Sequence, residues 1–248
     1  MSDCPSDRHT RRFCILPALL ICTAVFVNCG GQSAWNPLAP SSGPTRVDAE
    51  GYEVPVFIEA HHIDYSKVTK ISRFRSLIGH DNSDDFEHCR SMKHYFQPTE
   101  LVSIYSPVTG TITESKAEMM YGFQVVIRPT NRSYVAIRIF HLAAQVAAGT
   151  AVTAGQLLGT HATLETQDDI AVELSTKNGL KLVSYFDVMP DALFAQLGAY
   201  GITNRSQLII AKRERDADAV ACSTGNAFSG SGRVPNVVSL PSGALSLF

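Results

Sequence analysis

Charge is the first scarcity in this sequence. Only 18% of its 248 residues are charged, and 21 basic against 23 acidic side chains leave a net charge of −2. The basic residues are scattered and form no Lys/Arg stripe, so nothing gives the electrostatic footprint that nucleic-acid binding requires. Long apolar runs are also missing. The run Phe13–Val27 falls short of the roughly 20 residues that a bilayer-spanning helix needs, which excludes a multi-pass membrane protein. A hydrophobic share of 45% excludes a disordered chain. Cysteine is scarce past the amino terminus: Cys4, Cys14, Cys22 and Cys29 lie early, and only Cys89 and Cys222 follow.

What the sequence does have begins at its start. Arg8, Arg11 and Arg12 precede the apolar run, and Cys29 with a Gly-Gly pair follows it. A basic patch, a short apolar stretch and small residues form the pattern of an export signal, expected over residues 1–28. The competing reading is a short anchor that is never cleaved. Cys29 resembles the acceptor cysteine of a bacterial lipoprotein, although Phe26 and Asn28 depart from the small residues such signals prefer. Acylation there would anchor the chain to a membrane. Residues 29–50 would then be a lipidated tether, and the protein would be exported to the periplasm or outer membrane. In an oxidising compartment the two remaining cysteines are expected to pair as Cys89–Cys222, the alternative being two unrelated buried thiols.

With 12 prolines and 17 glycines, turns are frequent and a β-rich body is favoured over a helical bundle. Val54 to Ile58 reads as a short strand, and the rest of 51–100 as an irregular extension. From Leu101 the pattern becomes regular. Strands are expected at Leu101–Tyr105, Thr111–Thr113, Val125–Ile127, Tyr134–Phe140 and Ile170–Leu174, with Pro129-Thr130-Asn131 making a hairpin turn. Gly110, Gly149 and Gly155 stand where turns need positive φ or the absence of a Cβ. Asp191 to Tyr200 places Leu193, Phe194, Leu197 and Tyr200 on one face of a helix. The expectation is a mainly β, antiparallel sheet or sandwich over 101–222 with one short C-terminal helix, and a loosely ordered tail over 223–248.

Three stretches carry a resemblance. Tyr105–Thr113 (YSPVTGTIT), Gly122–Leu142 (GFQVVIRP…YVAIRIFHL) and Val146–Gly159 (VAAGTAVTAGQLLG) resemble, in order, stretches of the lysostaphin-type zinc endopeptidases. Asp169–Leu174 (DIAVEL) falls where that family has H-L-H-F-E-L. The resemblance implies a duplicated-hybrid-motif fold of the barrel-sandwich type, a zinc cofactor and peptidoglycan as substrate. The glycine tandem is shared with biotinyl and lipoyl carriers, but Met92-Lys93 precedes both halves instead of separating them.

A catalytic zinc needs about three protein ligands and an open position for water. The family draws them from H-x-x-x-D and H-x-H, and adds a His in Y-A-H-L. His141 resembles that last, catalytic histidine. His80 and Asp84 have H-x-x-x-D spacing, though His80 lies early, and the expected spacing selects a segment holding Arg90 and His94. The H-x-H positions are Asp169, which the resemblance places at the catalytic rather than the ligand position, and Ala171. Alanine has no donor atom, so His80 and Asp84 supply two ligands and a third would have to come from His94 or His161. The competing reading of His80 and Asp84 is a polar surface loop. Arg90, Lys93, His94 and Tyr95 form a cation-plus-aromatic cluster suited to a sugar face or carboxylate, or else a strand edge with aromatics packed inward. The sequence therefore reads as an envelope lipoprotein with an impaired peptidase-like domain that uses no cofactor and binds peptidoglycan or an envelope protein. The alternative is an active zinc endopeptidase.

Overall fold

The computed structural model describes residues 43–223 and 225–241. Cys29 and the expected signal lie outside the described residues. Thirteen strands follow in chain order: β1 Thr45–Val47, β2 Glu53–Pro55, β3 Val68–Ser72, β4 His94–Pro98, β5 Ser103–Tyr105, β6 Gly110–Ala117, β7 Phe123–Pro129, β8 Val135–Ala144, β9 Ala151–Val152, β10 Leu157–His161, β11 Asp168–Thr176, β12 Gly179–Val183 and β13 Val237–Ser239. The α-helices are short, α1 Asp191–Phe194 and α2 Lys212–Asp216. Among the described residues no helix is long and apolar enough to cross a membrane.

The expected mainly β, antiparallel architecture is what forms. Eleven strands make one sheet, whose main path runs β13-β3-β4-β11-β8-β7-β6-β9, with β12 beside β11 and β10 joining β8 to β5. Every pairing is antiparallel. The Val/Ile-rich strands β7, β8 and β11 interlock through Val125, Ile127, Ile137, Ile139, Ile170 and Val172, all fully buried in one core. Gly149 and Gly155 take positive φ values of +89° and +78°, the conformation that favours glycine over other residues. Gly110 is needed for a different reason: a Cβ there would collide with the Arg128 carbonyl across the β6–β7 ladder.

The structure departs from the sequence expectation in four places. Residues 51–100 are not irregular: β3 and β4 join the main sheet, with β4 in its interior between β3 and β11. Residues His94, Tyr95, Phe96 and Pro98 of β4 are all buried, so a strand covered on both faces shows no polar alternation to read. The 223–248 segment is tied down where it is described, because β13 pairs with β3 and the Asn236 amide oxygen accepts from Leu77 N at 2.9 Å and Arg215 Nη2 at 2.8 Å. The helix expected over Asp191–Tyr200 forms as α1 and then tightens to a 3₁₀ helix over Ala195–Tyr200, ended by Gly201 at φ +79°. The last residues of the expected tether form β1, which pairs with β2.

Cys89 and Cys222 form a disulfide with Cα atoms 5.5 Å apart, across a sequence separation of 133. It joins the loop before β4 to the segment after α2. Charge pairs reinforce the same junction. Arg75 clamps Glu87 at 2.8–2.9 Å, and Arg90 bridges Glu87 at 3.0 Å and Asp216 at 2.8 Å.

Candidate functional site

On one face of the sheet, β11 offers Asp169, Ala171 and Glu173 in the alternation of an extended chain. Across the ladders Asp169 pairs with Tyr95 of β4 and Phe140 of β8, while Ala171 pairs with Arg138 of β8. Asp168, the next residue along, points the other way and meets His62 Nε2 at 3.0 Å in the core. Asp169 therefore sits at the meeting point of three strands, fully buried.

His141 reaches it through a bulge. Between Ile139 and Leu142 strand β8 carries one residue more than its partner between Val125 and Phe123, and His141 takes φ +62° there. That left-handed conformation is unfavourable for a residue with a Cβ and needs support from its surroundings. Glu118, just after β6, supplies the support: its Oε2 accepts from the His141 backbone N at 2.8 Å and stands 2.9 Å from the ring Nδ1. The other ring nitrogen, Nε2, lies 3.1 Å from Asp169 Oδ1. Tyr121 packs edge-on to the imidazole with ring centres 5.6 Å apart.

The second oxygen of Asp169 is taken by the Lys93 ammonium in direct contact. Lys93 is 2% exposed and lies over two rings, with its Nζ 4.1 Å from the centre of Phe140 and 4.9 Å from that of Tyr95. Burial penalises the His141 charge, but the Asp169 and Glu118 carboxylates outweigh it and push the imidazole up to about 9. Burial likewise opposes the Asp169 charge, and Lys93 and His141 outweigh that too, holding its carboxyl below the usual range. At neutral pH the four groups are an ammonium, an imidazolium and two carboxylates with no net charge.

This arrangement restricts the chemistry. Both ring nitrogens of His141 face carboxylates, Nδ1 toward Glu118 and Nε2 toward Asp169.

The other expected residues are placed elsewhere. His80 is exposed, with Nδ1 2.9 Å from the Asp81 carbonyl oxygen. Asp84 is buried, and both its oxygens accept from backbone N–H groups: Oδ2 from Leu182 at 2.8 Å and Oδ1 from Phe86 at 2.9 Å. It pins its loop to β12. His94 lies in the core between Ser72 O and Ser184 Oγ, each at 2.9 Å, and burial lowers it to about 4 despite the Ser72 bond. His161 is buried beside Thr166 O. Ala171 packs with Phe74, Met92, Leu182 and Ile209 in a small apolar cluster. A zinc ion does not fit this donor set: Asp84 is already engaged, His94 is enclosed and Ala171 offers no atom. Among the described residues no group of three or more His, Cys, Asp or Glu could hold a metal ion. His141, Asp169 and Glu118 are adjacent, but they meet through different ring nitrogens and converge on no single point.

The expected surface of Arg90, Lys93, His94 and Tyr95 is corrected by burial: their exposures are 7%, 2%, 0% and 6%. Arg90 fastens α2, and Lys93 serves the network. Glu118 had no sequence signal, since a carboxylate at the end of a hairpin strand is ordinarily solvated.

Fold and site together define a mainly β protein in which the matched histidine is locked into a closed, charge-neutral network. No protein-family model matches the sequence, and no curated protein matches it. Solved structures that it is similar to include Helicobacter pylori Csd3, at 15% identity over 59% of this chain and 40% of that one, with a TM-score of 0.44. The SpoIIQ–SpoIIIAH pore-forming complex is similar at 10% identity over 56% of this chain and 96% of that one, TM-score 0.40. A zinc-containing peptidase from Vibrio cholerae is similar at 18% identity over 62% of this chain and 45% of that one, TM-score 0.37. The chain thus spans about two fifths of Csd3 and under half of the Vibrio peptidase.

Proposed function

We propose that this chain is a non-catalytic, lysostaphin-like envelope protein that binds peptidoglycan or an envelope partner, and that it is exported and lipid-anchored at Cys29. One observation carries the reading. His141 and Asp169, which match the family's catalytic positions, meet in the folded chain but are joined to Lys93 and Glu118 as a closed set of charges.

Protein purified without added zinc is expected to contain no stoichiometric zinc by elemental analysis, and to release no peptide from purified peptidoglycan. Tightly held zinc at one ion per chain, with hydrolysis, would overturn the reading. Binding is tested by cosedimentation with peptidoglycan sacculi. Sedimentation supports the peptidoglycan arm, and its absence leaves the protein partner as the arm to pursue by cross-linking in the envelope. For the anchor, intact mass of membrane-extracted protein is expected to begin at Cys29 with added acyl mass.

A further inference from the structure

Away from that network, a cavity of about 360 Å³ opens between β1, the end of β3, the turn after β12 and the 3₁₀ helix Arg205–Gln207. Arg46, Arg73, Arg205, Asp187 and Glu214 bring charge to its wall. Asp187 is the unusual member. It is 7% exposed, yet no hydrogen bond and no ion pair reaches its carboxylate among the described residues. Its oxygens are not among the side-chain atoms sealed from solvent, so what opening they have belongs to the one residue of that turn that lines the cavity. A buried carboxylate without a partner is costly, and folded proteins retain such groups mainly where something else binds them.

The guanidinium groups around it are oriented by backbone carbonyls and share two carboxylates at the rim, with Arg73 Nη2 3.9 Å from Glu214 Oε2. Arg46 Nε donates to Asp187 O at 3.1 Å. Arg205 donates to Phe186 O and Met189 O, each at 2.8 Å, and Arg73 Nη2 donates to Ile209 O at 2.7 Å. Arg46 and Arg205 share one largely exposed carboxylate, Asp191, at 2.6 and 2.9 Å. Arg73 Nε is buried with no acceptor at all. Backbone carbonyls fix the geometry of these cations without cancelling their charge. Burial raises Asp187 to about 6 and Asp48 adds to the rise, while Arg205, Arg46 and Arg75 pull against it.

The cavity thus presents an unpaired anion beside three oriented cations that share two carboxylates, Asp191 and Glu214. We infer that it is a binding site for a zwitterionic amino-acid group, its ammonium taken by Asp187 and its carboxylate by the Arg46 and Arg73 guanidiniums. A simple anion would leave Asp187 unpaired, and a simple cation would face three guanidiniums that Asp191 and Glu214 offset only in part. Only a ligand carrying both charges satisfies both halves of the wall.

The test is calorimetric titration of the full folded chain at pH 7.5 with glycine, lysine and 2,6-diaminopimelate, set against their N-acetyl and carboxamide derivatives. Saturable binding by the zwitterions, weakened at least tenfold by either derivative, is the expected result. Asp187→Asn is expected to lower zwitterion affinity at least tenfold while its thermal midpoint at pH 7.5 stays level or rises, because a buried unpaired charge is removed. If that variant does not fold, the wild-type pH profile serves: affinity should fall as pH drops through about 6 and Asp187 takes a proton. No heat with any zwitterion, equal binding of the acetylated forms, or undiminished binding by Asp187→Asn overturns the assignment.

Discussion

Lys93 is where a single side chain changes what this site can be. An ammonium enclosed by Phe140 and Tyr95 has one carboxylate partner, Asp169, which has no exposure of its own. A fully uncompensated buried charge costs about 3–5 kcal/mol, but His141 stays beside Asp169 when Lys93 is removed. Lys93→Met is therefore expected to lower the unfolding free energy by less than that, about 1–3 kcal/mol, in urea titrations. Lys93→Met with Asp169→Asn is expected to recover most of it, because the stranded charge is gone. Equal losses in the single and double variants would show that packing, not charge, is at stake. His141 gives the complementary pH test. Its folded pKa, about 9, exceeds the usual 6.5. Its contribution to stability is thus fully present below about pH 6.5 and is lost as pH rises through about 9. Proton-detected titration of the imidazole should place its midpoint near 9, and a midpoint near 6.5 would mean that the carboxylates do not hold it.

At the scale of elements, the bulge in β8 and the strand β6 act as a pair. The extra residue turns His141 inward, and Glu118 holds both its backbone nitrogen and its ring. Glu118→Gln is expected to keep the fold and shift the His141 midpoint down toward its ordinary value, because one of two carboxylates is lost. The same NMR titration reads it. On the neighbouring ladder, Gly110→Ala forces a methyl group against the Arg128 carbonyl, where backbone must move. A loss of about 1–3 kcal/mol is expected, as for overpacking elsewhere. Both elements were partly legible beforehand. The β-branched run of Tyr134–Phe140 announces a strand, and Gly110 announces a constraint. The bulge was not legible, because it exists only relative to the register of β7.

For the whole molecule, the disulfide and its neighbouring charge pairs close the chain on itself. Closing a loop of this length removes about 4–5 kcal/mol of chain entropy from the unfolded state. Cys222→Ser is expected to approach that loss in denaturant titrations run without reductant, with little change in the native sheet by circular dichroism. The β3–β4 half of the sheet was invisible to sequence patterning for a related reason. His94 and Ser72, polar residues that suggest a loop, are satisfied inside the core: His94 Nδ1 meets the Ser72 carbonyl, and the Ser72 hydroxyl oxygen accepts from Tyr95 N.

By itself the sequence determined the β class, through its Val/Ile strands and glycine turns, which are local in pattern and read without a third dimension. It left the pairing of its two late cysteines as one of two readings, and the missing donor at Ala171 was implied by the resemblance. Only the tertiary structure decided that Lys93, Glu118, His141 and Asp169 neutralise one another, and that Asp84, Arg90 and His94 serve the scaffold. Charges gain their meaning from what stands beside them once water is excluded, and β4, β8 and β11 become neighbours only in the folded sheet.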